Sequence, residues 1–184
     1  MDDLEVDDIL DKPRKKGSKG KPKGKRGELE VVNLLNLRFE RILKERPDDG
    51  KFMRTIGSGN RWSHGSLSKS AQDTFSGDVS VPSSFAFVLE IKTGYNDIDL
   101  VTAFDKCKEL DEFLDQVSKD ATRCGRRPLL LWKKDRKCRL AFILAEDLPQ
   151  HDLFDVKLFY GDWICVNFSM LLNLGDEFFF KSDE

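Results

Sequence analysis

Four charged side chains stand in the sequence where packing alone does not favour charge. Glu28 lies on the apolar side of a helical pattern, Asp78 opens a strand pattern, and Glu90 and Lys92 sit inside the almost continuously apolar run from Phe85 to Lys92. Burying such groups unpaired costs several kcal/mol each, so a compensating partner is expected. A divalent cation is the economical one. Magnesium takes oxygen ligands in octahedral geometry and retains waters, so Glu28, Asp78 and Glu90 would suit it as metal ligands together with a phosphate oxygen. Such an ion polarises a phosphoryl oxygen and acidifies water, which is the chemistry of phosphodiester hydrolysis. Lys92 shares a strand face with Glu90 and would orient the attacking water or offset charge on the phosphate. The structural alternative pairs Glu90 with Lys92 and leaves Glu28 beside a helix N-terminus, where a negative charge is favourable. A lone E-x-K is common; the combination with Asp78, eleven intervening residues and an inward Glu28 is what favours chemistry.

The elements that must position these groups follow from periodicity. Apolar residues at helical spacing, Val31, Val32, Leu34, Leu35, Phe39, Ile42 and Leu43, predict a first helix from Gly27 to about Arg46, with Glu28 turned toward Val32, Leu35 and Phe39 and Glu30 turned away. Pro47-Asp-Asp-Gly50 ends it. Phe52 to Ile56 is a short strand candidate, and the serine-rich stretch 57–77 reads as a substrate-contacting loop. Asp78 to Val81 and Phe85 to Lys92 predict two antiparallel strands joined around Pro82, the second central in a sheet. A second helix is expected from about Asp97 to Lys119, with Ile98, Val101, Phe104, Phe113, Leu114 and Val117 inward. Strands at 129–132 and 139–144 flank the charged turn Lys133-Lys-Asp-Arg-Lys137. Residues 157–168 would add an edge strand, 169–174 a short helix, and the aromatic tail Phe178-Phe-Phe180 is expected to dock on the domain. The fold class this predicts is α/β, one domain with a central mixed β-sheet flanked by helices.

With 184 residues, 39% of them hydrophobic and 35% charged, the chain has the composition of a single soluble folded unit. No run approaches the roughly 18 apolar residues of a membrane span, and a cytoplasmic setting, in a prokaryotic or phage-infected cell, is expected. Cys107, Cys124, Cys138 and Cys165 are scattered, and with only His64 and His151 they suggest reduced thiols rather than a zinc site. The net charge of −2 conceals segregation: residues 1–11 hold six acids and no base, residues 12–26 nine bases and no acid. Glycine and proline interrupt the basic run, so residues 1–26 are expected to form a disordered arm whose bases lie along phosphates, each contact steepening salt dependence by about 0.9 log units.

The pattern Asp78…Glu90-Ile91-Lys92 resembles the signature of PD-(D/E)XK nucleases, with Gly77 in place of the proline that names the motif. Lys23-Gly-Lys-Arg-Gly-Glu28-Leu-Glu-Val-Val-Asn-Leu-Leu35 resembles the opening helix of archaeal-type Holliday junction resolvases. Arg54-Thr-Ile-Gly-Ser58 resembles their R-x-x-G-S segment, and Arg127-Pro-Leu-Leu-Leu131 the following strand. This resemblance covers roughly residues 23 to 145. It implies a restriction-endonuclease-like core and a homodimer that nicks DNA four-way junctions in a paired manner. It further implies magnesium, with manganese able to substitute, held by Glu28, Asp78 and Glu90. By the same resemblance Lys92 would be the catalytic lysine, with Ser58 and Arg54 auxiliary residues near the scissile phosphate. Lys23, Lys25 and Arg26 of the basic run, with Arg54 and Arg61, are the expected DNA contacts. Two other readings stay open: a repair, restriction or DNA-degrading nuclease of the same fold, and a DNA-binding protein without catalysis.

Overall fold

The structure, a computed structural model, describes residues 20–55, 77–98, 107–149 and 151–181. Its frame is a five-stranded mixed sheet. The strands are β3 (Phe87–Thr93), β4 (Arg127–Lys133), β5 (Arg139–Leu144), β6 (Lys157–Tyr160) and β7 (Trp163–Asn167), in the order β3-β4-β5-β7-β6. Only β3 and β4 are parallel, as a strand pair joined through a crossover helix requires; the other pairs are antiparallel. A separate two-stranded ribbon, β1 (Met53–Arg54) and β2 (Val79–Ser80), lies beside it.

Side-chain alternation along β3 divides the core. Phe87, Leu89 and Ile91 face helix α1 (Gly20–Arg38) through Val31, Val32, Leu35 and Phe39. Val88, with Leu130 and Trp132 of β4, faces helix α3 (Lys108–Cys124) through Leu110, Phe113, Leu114 and Val117. The single-domain α/β fold with a mixed sheet between helices is the expected one.

Several boundaries differ from expectation for identifiable reasons. The first helix, Gly20–Arg38 as described, already includes residues ahead of the expected Gly27. It also breaks at Phe39, and α2 (Glu40–Glu45) continues separately. The second helix starts at Lys108, not Asp97: Gly94 and Tyr95 take positive φ and turn the chain after β3, leaving Ile98 buried outside any helix. Val101 and Phe104 lie outside the described residues, as do residues 1–19, Ile56 and most of the loop 57–77. The segment 157–168 is a hairpin, with β7 inside the sheet and only β6 at the edge.

The expected pairing of 78–81 with 85–92 does not form as a ladder. The partner of β2 is β1, in the register Met53↔Ser80 and Arg54↔Val79. Toward β3, the Asp78 N–H donates to Leu89 O at 2.9 Å, and the next donor along, the Ile91 N–H, is taken by the Asp78 carboxylate at 2.8 Å. A side chain replaces the backbone acceptor there, so the ladder ends where Asp78 is fixed.

The chain's end completes the core. After α4 (Phe168–Leu171), helix α5 (Asp176–Phe179) brings Phe179 and Phe180 against Phe39 and Phe85. Arg38 holds the approach by donating to Leu172 O, Leu174 O and Asp176. Arg127 lies over the Phe87 and Phe178 rings at 4.1 and 5.2 Å. Phe179 is 1% exposed, so Phe179→Ala is expected to destabilise the protein by about 3 to 5 kcal/mol, measured as a lowered urea midpoint with an unchanged m-value.

Candidate active site

Because β3 ends the sheet, one side of it is open to other elements, and four chain segments meet there. Glu28 and Lys23 come from α1, Asp78 from the start of β2, Glu90 and Lys92 from β3, and Gln116 and Asp120 from α3; together they line one pocket of about 960 Å³. Gly27 allows the approach of α1: a Cβ there would lie 2.1 Å from Thr93 Oγ1.

Glu28, Asp78 and Glu90 are buried, at 9%, 8% and 2% exposure. Each is oriented by a specific partner. Arg54 of β1 donates to Glu28, and Asp78 Oδ2 accepts from the Ile91 N–H. Glu90 Oε1 accepts from Lys92, whereas Glu90 Oε2 is buried with no hydrogen-bond partner among the described residues. Burial above all, reinforced by the negative charge of Asp78, pushes the Glu90 carboxyl up to about 7 against the opposing pull of Lys92. Lys92 Nζ is held further by Gln116 Oε1 at 3.0 Å and by the Phe113 ring at 4.9 Å.

Sequence reasoning missed Gln116 and Asp120. Both lie on α3 at helical spacing from the inward Phe113, three and seven residues after it, and polar groups at that spacing were the available signal. Asp120 has its pKa raised by burial, with Arg123 and Lys92 opposing.

Of the other candidates, Arg54 contacts the site through Glu28 without lining the pocket itself, and Lys23, at the pocket wall, pairs with Asp135. Lys25 and Arg26 are exposed on the first turns of α1. Ser58 and Arg61 lie outside the described residues. Among the described residues no three acidic, histidine or cysteine side chains are gathered closely enough to hold a metal ion. The donor chemistry nonetheless fits a hard cation: oxygen ligands only, one of them a buried carboxylate oxygen without a partner beside a second carboxylate.

An edge strand carrying E-x-K, flanked by an aspartate-bearing ribbon and a glutamate-bearing helix on a mixed sheet, defines the core of the PD-(D/E)XK nucleases. Residues 19–161 match the profile of a family described as phage putative PDDEXK endonuclease, and the chain belongs to that family. The match takes in every pocket residue named above, while β7, α4 and α5 lie beyond it. No curated protein and no solved structure matches the chain. Among the described residues no helix is long and apolar enough to cross a membrane.

Proposed function

We propose that the protein is a magnesium-dependent endonuclease that cuts branched DNA, acting as a homodimer on four-way junctions. The observation that carries the hydrolytic part is the convergence of Glu28, Asp78, Glu90 and Lys92 on one pocket, with Glu90 Oε2 buried and unpartnered. Asp78 and Glu90 would hold the cation, with water completing its coordination and Glu28 lining the same pocket. When bound, the cation supplies Lewis-acid polarisation of the phosphate and a more acidic water.

The chain's own residues do the rest. The Ile91 N–H fixes the orientation of Asp78. Lys92, gripped by Glu90, Gln116 and Phe113, keeps its ammonium at the pocket, where it offsets charge developing on the phosphate. Arg54, next to Glu28, presents a guanidinium to a phosphate oxygen. The branched substrate rests on the similarity of the segments 23–35 and 54–58 to the resolvases, and manganese is expected to replace magnesium.

The test compares a labelled four-way junction with a matched linear duplex, in magnesium, calcium and chelator, for the wild type and Asp78→Asn. Paired nicking of the junction in magnesium alone, reduced at least about 10³-fold in the variant, is expected. Equal cutting of both substrates would replace branched-DNA selectivity with general endonuclease action; binding without cutting would overturn the catalytic reading.

A further inference from the structure

Beside the cleavage pocket lies a second cleft of about 370 Å³, walled by Lys23, Arg26, Glu30, Lys133, Lys134 and Arg136 among others. It shares Lys23 and Thr93 with the first, so the two adjoin. Its charges are organised rather than scattered. Glu30, on the outward side of α1, accepts from Lys133 at 2.8 Å and from Arg139 at 3.1 Å and lies 4.0 Å from Arg26. Asp135, in the β4–β5 turn, accepts from Lys23 and from Asn96, and its N–H donates to Asn96 Oδ1. Two carboxylates thus tie the turn, the start of α1 and the loop after β3 into one unit.

Bases outnumber acids in that unit. Lys134 lies over Trp132, with Nζ 5.4 Å from the ring centroid, and Arg136 and Lys137 are exposed at the turn's tip. Arg139, 9% exposed, lies beneath this surface and is committed to Glu30. Donors exceed acceptors on a surface that leads directly from the reacting groups. A polyanion laid through the cleavage pocket would continue onto it.

We propose that the β4–β5 turn is a second DNA-backbone site, gripping the duplex arm that flanks the cut phosphodiester. This rests on the reading of the protein as a DNA nuclease and extends it to residues outside the pocket. Glu30 and Asp135 act as struts: they hold their basic partners in place before DNA arrives, so less side-chain freedom is lost on binding. Phosphate contacts of this kind position a duplex without reading its sequence.

The experiment measures binding of labelled linear duplex and labelled four-way junction by anisotropy over a range of salt. It uses the full chain carrying Asp78→Asn in calcium, with and without Lys134→Gln, Arg136→Gln and Lys137→Gln together. The triple variant is expected to bind both DNAs about 10- to 100-fold more weakly and to lower the slope of log K against log salt by about 2 to 3. In the catalytically intact chain, the turnover rate at saturating DNA should be unchanged. A companion carrying Lys134→Arg and Lys137→Arg should bind like the parent, which separates lost charge from a damaged fold. Unchanged affinity and slope in the triple variant, with cleavage by the intact chain normal, would overturn the role of the turn alone. Failure of the parent to bind any DNA would overturn the nuclease reading with it.

Discussion

Glu90→Gln is expected to abolish cleavage, by at least about 10³-fold, and at the same time to make the metal-free protein more stable. The two effects share one cause. Glu90 is 2% exposed, and burial together with the charge of Asp78 raises its carboxyl from 4.5 to about 7. Below pH 4.5 the carboxyl is protonated in the folded and unfolded chain alike, and charge costs the fold nothing. Between pH 4.5 and 7 the unfolded chain gives up its proton first, so wild-type stability falls as pH rises through that window. Above about pH 7 the full difference remains. Glutamine keeps the shape of the neutral acid and never ionises, so the variant should gain about 3 kcal/mol over the wild type at pH 8 and nothing at pH 4.

Thermal unfolding across pH measures this gain, and magnesium adds a second reading. It should raise the wild-type midpoint and leave that of the variant nearly unmoved, because a ligand stabilises only the fold that binds it. A variant no more stable than the wild type at pH 8 would mean that Lys92 already compensates Glu90 without a cation.

Restoring the proline of the family motif, by Gly77→Pro, should destroy the site rather than improve it. Gly77 has φ of +78°, which a proline ring, locked near −65°, does not reach. Even one carbon is too many, since a Cβ at Gly77 would lie 2.5 Å from the Leu89 carbonyl oxygen, a backbone atom that cannot turn aside. That carbonyl accepts the Asp78 N–H, so a shift at residue 77 carries the carboxylate away from Glu90. Gly77→Pro is expected to lose about 3 kcal/mol or more of stability and at least about 100-fold in cleavage rate. Gly77→Ala should fall between it and the wild type. Urea denaturation and single-turnover cleavage check both, and a fully active proline variant would show that the 77–78 turn has a second conformation compatible with the site.

The candidate site groups were legible because a buried charge contradicts its surroundings. Glu28 broke the apolar side of a helix, and Glu90 and Lys92 broke an apolar strand; period 3.6 and period 2 place each of them without knowledge of the partner. The mixed sheet, the outer strands of the charged turn and the docking of the aromatic tail were legible for the same local reasons.

What local pattern could not carry was the pairing of distant segments. Asp78 was readable as a strand opening, yet only the folded chain sets its carboxylate on the Ile91 N–H and gives β2 to β1 instead of β3. Glu30 read as an outward helix charge and became the strut between α1 and the β4–β5 turn, more than 100 residues away in sequence. Gln116 reaches Lys92 across the gap between α3 and β3. Residue type and period determine which side of its own element a group faces; hydrogen bonds and ion pairs between elements depend on how those sides are brought together, and that is decided only when the sheet and its helices pack.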